Sequence, residues 1–424
     1  MQKKLLLSLF AFTSLLADSE VEMLKQQLLQ QQKITQKLLT RIEALEVKQK
    51  KVVHTVQQQA AIKNVNTSAS FSQNAYLPDM AFILNMSALD RNVKNSNYTT
   101  YDIPGFINNI GATGELPFNK NDGFNFNYAE VALRSTVDPY FDAFAIFHLS
   151  PAAFAIEEAF VKTRAIPYGI QIKVGTFKSD FGRINSKHQH VWQFDTQPII
   201  YKSLFGPDGI SDAGIQAQWV APTDTYIMAG VEAFAGTNSR SFGADTQNRH
   251  LYVGYLKSSV DIRDDLSVLG GVSIAHGDNY DNNVTNPTNI YGLDLTLRNQ
   301  LGSYSSLVWQ SEFLQRDKKL STRTDKQSGL YSELIYQYNN NWYAGVRYDT
   351  ILKNDTDLSA YSGVDTSNLD RYTAKIDYHP FPMSRLRLQY SYDRTKVIEG
   401  ERKDINEISL SLNIAAGAHG AHNY

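Results

Sequence analysis

Beyond residue 77, apolar and polar side chains alternate along the chain with a period of two. Leu386, Leu388, Tyr390 and Tyr392 fall on one face of such a ribbon, and Arg385, Arg387, Gln389, Ser391 and Asp393 on the other. Tyr372, Ala374, Ile376 and Tyr378 stand in the same way against Arg371, Thr373, Lys375 and Asp377, and Ile408, Leu410, Leu412 and Ile414 against Glu407, Ser409, Ser411 and Asn413. Successive side chains of a strand point to opposite faces, so each stretch predicts a strand with one greasy and one wet side. Reading the whole region this way predicts sixteen strands, at 79–90, 127–136, 142–149, 156–164, 170–177, 212–220, 225–235, 248–257, 266–275, 290–298, 305–315, 328–338, 341–350, 370–379, 384–394 and 405–414.

The connections choose the architecture. Every second one is short: 137–141, 165–169, 221–224, 299–304, 339–340 and 380–383. The intervening ones include long polar segments at 91–126, 178–211, 276–289 and 351–369. A soluble sandwich has no reason to sort its loops by length, whereas an outer-membrane barrel has short turns at one rim and long loops at the other. The expected fold is therefore all-β, a sixteen-stranded antiparallel transmembrane β-barrel over residues 77–424, apolar faces outward to outer-membrane lipid. Tyr140, Tyr168, Trp219, Tyr226, Trp342 and Tyr343 lie near strand ends, where such barrels carry aromatic girdles.

Ahead of this region the pattern differs. Lys3 and Lys4 precede the apolar stretch Leu5–Leu16, too short to span a bilayer as a helix and suited to a signal peptide over residues 1–17, cut after Ala17. Residues 18–63 are rich in Gln and Lys and read as helix. Placing Val21, Leu28, Thr35, Ile42, Gln49 and Val56 at one heptad position puts Leu24, Gln31, Leu38, Leu45, Val52 and Gln59 at the other. Eight of these twelve seam positions are apolar, so a coiled coil of identical copies is expected, with a flexible polar linker as the alternative. A Ser/Asn-rich linker over 64–76 follows. The helix is expected in the periplasm of a Gram-negative bacterium, where peptidoglycan or periplasmic proteins are the partner classes open to it.

Composition removes other classes. A net charge of −2 offers no field for nucleic acid, and the absence of cysteine excludes disulfides and thiolate metal sites. Mean hydropathy is −0.35 and no apolar run of eighteen residues follows the first twenty, which excludes a helical membrane protein.

The segment Lys173–His190 (KVGTFKSDFGRINSKHQH), followed by Trp192, Phe194, Asp195, Gln197 and Pro198, resembles the zinc-regulated outer-membrane porins of the phosphate-selective porin superfamily. The stretch Asp212–Asp224 and the ending Gly417–His422 are similar to the same group, and the chain ends on an aromatic ring, Tyr424, as outer-membrane proteins commonly do. The resemblance implies a sixteen-stranded porin, a homotrimer, passing small hydrophilic solutes or ions by passive diffusion. By resemblance to porins the third outer loop, 178–211, folds into the barrel as its constriction, with Lys178, Arg183, Lys187, His188, His190, Asp195 and Lys202 as candidate filter residues. The excess of Lys178, Arg183, Lys187 and Lys202 over Asp180, Asp195 and Asp208 predicts a weak preference for anions.

Alternation places Glu158, Lys162, Arg164, Glu333, Arg347, Asp349, Arg371, Lys375, Asp377, Arg385, Arg387, Asp393 and Glu407 toward the lumen, with Asp377 facing Arg387 and Arg347 facing Lys375. Such mixed rows brace a wet wall as well as set a field across it. No cofactor is expected. His188 and His190, with Asp195, form a weak candidate for a transient zinc contact, short of the three or four ligands zinc takes unless all three converge. Two rivals remain: a barrel hydrolase, for which His148, His250 and His276 lie near outer ends but lack a spaced nucleophile, and an adhesin or tether built on the coiled coil and outer loops.

Overall fold

The computed structural model describes residues 78–113, 118–150, 154–164, 166–243 and 250–417. The signal segment, the expected coiled coil, the linker and the aromatic C-terminal end lie outside these residues. Sixteen strands are present: β1 (Asp79–Arg91), β2 (Gly123–Thr136), β3 (Phe141–Leu149), β4 (Phe154–Thr163), β5 (Ile170–Lys178), β6 (Ser211–Val220), β7 (Tyr226–Phe234), β8 (Leu251–Arg263), β9 (Leu266–Asp281), β10 (Val284–Gln300), β11 (Ser306–Lys319), β12 (Thr324–Gln337), β13 (Trp342–Asp355), β14 (Asp370–Tyr378), β15 (Ser384–Ile398) and β16 (Glu401–Gly417). Each pairs antiparallel with its chain neighbours, and β1 pairs with β16 in the register Ala88↔Leu410. The sheet is a closed barrel with no free edge.

Burial runs opposite to that of a soluble protein. On β15 and β16, Leu388 and Leu410 are 47% and 52% exposed, while Arg387 and Gln389 on either side of Leu388 are each 1% exposed. Enclosing charges while leaving leucines outside is stable only when the surroundings are apolar. Each strand is hydrogen-bonded to a neighbour on both sides around the closed sheet, which is what a hydrocarbon layer demands. Tyr140, Tyr168, Trp219, Tyr226 and Trp342 are exposed at the short-turn rim, and Phe124, Phe154 and Tyr252 at the opposite one.

Three segments expected to loop out are instead strand. The polar stretch 276–289 continues β9 and β10 to a tight turn at Asn282 and Asn283, both with positive φ (51° and 62°), and β15 and β16 meet at Glu399 and Gly400 (54° and 76°). β11 and β12 likewise run on to a turn at residues 320–323. A strand that rises past the hydrocarbon has water on both sides, so alternation ceases while pairing goes on, and polarity alone reads as loop. The long connections among the described residues are 92–122, 179–210, 235–250 and 356–369, all at one rim. The first forms a small core of its own, Tyr98, Tyr101, Ile103, Ile107 and Ile110, packed on Ile398 and Ile405.

Candidate functional site

Between β5 and β6 the chain turns inward and crosses the barrel. The turn begins at Gly182, whose φ of 61° and position suit glycine alone, since a Cβ there would run into the Tyr201 hydroxyl and the Glu312 carboxylate. From there the loop is tied to nearly every wall strand. The Gly182 amide donates to Ser273 at 3.0 Å, the Arg183 amide to Glu312 at 2.8 Å and the Ile199 amide to Asp349 at 3.0 Å. Arg347 and Arg371 donate to the carbonyls of Thr196 and Gln197 at 2.8 and 2.7 Å. A short helix, Ile199–Phe205, buries Ile200, Tyr201 and Leu204 against Leu314, Tyr331 and Ile351 of the wall.

The seven loop residues named from sequence do not form one ring; they separate into four settings. Lys178, His188 and His190 converge on carboxylates of β2 and β4: Lys178 Nζ lies 3.2 Å from Glu157 Oε1, His188 Nε2 lies 2.6 Å from Glu158 Oε2 and His188 Nδ1 3.2 Å from Glu157 Oε1, and His190 Nδ1 lies 3.2 Å from Glu130 Oε2. Burial alone would push the His188 imidazole down, but Glu157 and Glu158 outweigh it and hold it up to about 10. Asp195 belongs to a second setting, 3.0 Å from Arg387 and accepting from Ser411 at 2.7 Å. Lys202 donates to Tyr101 of the first outer loop at 2.6 Å. Arg183 and Lys187 lie near Glu312 and Glu333, where burial, then repulsion from Arg183, lowers the Lys187 ammonium to about 8. The expected His188, His190 and Asp195 trio is thus not assembled: the two imidazoles stand 5.9 Å apart in one cluster, and Asp195 is claimed by an arginine on β15.

Glu157 is a functional residue that alternation missed. The β3–β4 register shifts between Ile146 and Phe147, so Glu157 is bulged and turns inward beside Glu158. The trace left in the sequence is a carboxylate on what strict alternation makes a lipid-facing position.

Of the residues expected toward the lumen, Arg347 and Arg371 bracket Asp349 at 2.9 and 3.2 Å, and Lys375 and Arg387 bracket Asp377 at 2.6 and 2.7 Å. Asp377 does face Arg387 directly, but Arg347 stands opposite Thr373, not Lys375. Arg385 reaches the Trp192 carbonyl at 3.4 Å, and Glu333 is buried. The inward loop therefore covers the charged wall of β11–β16. Open space remains on the other side: a cavity of about 550 Å³ lined by Arg134, Lys162, Lys173, Asp180 and the rings of Phe144 and Phe160, stacked at 4.9 Å. Arg164 sits outside it at the short-turn rim, 3.6 Å from Asp142. Of the hydrolase candidates, His250 pairs with Asp278 at 3.5 Å and His276 with Asn289 at 2.8 Å.

No family model matches the sequence. Among solved structures, the outer membrane channel DcaP of Acinetobacter baumannii is similar with a TM-score of 0.52 at 10% identity, covering 82% of this chain and 100% of that one. The anion-selective porin from Comamonas acidovorans gives a TM-score of 0.52 at 10% identity over 80% of this chain and 99% of that one. These likenesses show the fold: a closed antiparallel β-barrel of the kind those outer-membrane proteins have. An uncharacterised protein of Aquifex aeolicus (strain VF5) is 38% identical over 381 residues, 83% of this chain and 81% of that one, and the chain belongs to its family.

Proposed function

We propose that this protein is an outer-membrane porin, a water-filled channel through which small hydrophilic solutes or ions diffuse passively, with the 178–211 loop as its constriction. The observation that carries the reading is the inverted barrel: an apolar outer surface, a charged inner wall, and a loop tied across the interior that leaves a cavity of about 550 Å³ beside it. A soluble binding protein has no use for the first, and a solid plug none for the last. Selection falls to the charges that face the remaining space. Arg134, Lys162, Lys173 and Lys178 line the cavity with Asp79, Glu158 and Asp180, one cation in excess, which favours anions weakly. The sequence segments Lys173–His190 and Asp212–Asp224 support a place among the zinc-regulated porins, and the 18–63 heptads support a trimer tethered in the periplasm. Purified protein in a planar bilayer should show stepwise openings, and a KCl gradient a small reversal potential of the sign set by chloride. Absence of conductance would overturn the channel; a clear cation preference would overturn the selectivity.

A further inference from the structure

We propose that Glu130, Glu157 and His188 bind one divalent transition-metal ion, which fastens the inward loop to strands β2 and β4. Nothing in the channel reading requires this site, and it stands or falls without it.

The three ligand atoms lie within 4.8 Å of one another around His188 Nδ1, with Glu157 Oε1 at 3.2 Å and Glu130 Oε2 at 3.7 Å. Ligands of a tetrahedral ion held at about 2.0–2.1 Å stand roughly 3.4 Å apart, so small side-chain movements complete the site. His190 Nδ1 lies 3.2 Å from the same Glu130 oxygen and borders the group of three without belonging to it. The second observation is the Glu130 carboxylate itself: it is 2% exposed, and its Oε1 has no hydrogen-bond partner. A buried carboxylate left half satisfied is costly, and a cation removes that cost.

The imidazole is oriented for coordination. Its Nε2 meets Glu158 Oε2 at 2.6 Å, which turns Nδ1 toward the other two carboxylates. A carboxylate behind a ligating histidine is the usual support of a metal-bound imidazole. Charge points the same way. The groups in direct contact are three carboxylates, Glu130, Glu157 and Glu158, against Lys178 and the His148, His188 and His190 rings. Three carboxylates against one lysine leave room for further positive charge at the cluster. Mixed imidazole and carboxylate donors suit Zn²⁺, Co²⁺ or Mn²⁺ better than the all-oxygen preference of Ca²⁺.

The test uses the full chain, refolded in detergent, stripped with chelator and dialysed against Zn²⁺ or Co²⁺. Bound metal is counted per chain, and folding is verified by the heat-dependent gel mobility of barrels. We expect one ion per chain, lost at least tenfold in Glu130→Gln and His188→Ala, and weakened roughly 10–100-fold in Glu158→Gln, which removes only the support of the ring. Glu130→Gln is isosteric and decides the matter if His188→Ala does not fold. The variant His419→Ala/His422→Ala should retain the ion. Wild-type protein that leaves dialysis without metal, or metal that survives Glu130→Gln and vanishes with the terminal histidines, overturns the site.

Discussion

Arg387 shows how single residues hold the interior. Its side chain is enclosed between Asp377, at 2.7 and 3.0 Å, and Asp195 of the inward loop, at 3.0 Å. Among the described residues, removing it leaves buried Asp195 with only the Ser411 hydroxyl and Asp377 with only Lys375. Breaking one partner of a buried pair costs about 3–5 kcal/mol, because the remaining charge stays desolvated. Arg387→Ala should therefore lower the stability of the folded barrel by about 3 kcal/mol in urea titrations, with Arg387→Lys intermediate because a single ammonium replaces a planar fork. A loss below about 1 kcal/mol would mean that water already screens the pair. Half of this arrangement was legible in the sequence, since a period of two puts Asp377 and Arg387 on one face of adjoining strands. Asp195 was not, because its partner lies 192 residues away and is chosen by the path of a loop.

Among the strands, the alternating pattern located all sixteen because each carries a lipid face, and it lost the upper parts of β9, β10, β15 and β16 where that face ends. The turns there have their own chemistry. Asn282 and Asn283 suit a left-handed pair, and so does Gly400, but Glu399 occupies the same region at a φ of 54° without a short polar side chain to ease it. Glu399→Asn should stabilise the barrel by up to about 1 kcal/mol, read as a higher urea midpoint with an unchanged slope. An unchanged or lower midpoint would show that the Glu399 backbone is not strained. The bulge in β4 is the opposite case: an extra inward carboxylate that no turn residue announces, visible only once the β3–β4 register is known.

At the scale of the whole molecule the barrel is two unequal halves. Inner side chains of β11–β16 are paired with one another and with the loop, while β1–β6 keep open space lined by Arg134, Lys162 and Lys173. The loop is held on the closed half by the apolar contacts of Ile200, Tyr201 and Leu204 with Leu314, Tyr331 and Ile351, and by the arginines that hold Thr196 and Gln197. Those anchors belong to residues 196–206, which lie apart from the cluster around His188. Replacing 196–206 by a short Gly-Ser linker should release this half of the loop and leave the strands paired, since the barrel closes through β1 and β16 without it. If the loop is the narrowest part of the path, single-channel conductance should then rise severalfold while the arginines uncovered on β13 and β14 face the enlarged lumen and shift the reversal potential further toward chloride. A conductance equal to that of the intact protein would place the resistance elsewhere, at the first outer loop packed on Ile398 and Ile405, and the inward loop would then be a brace instead of a filter.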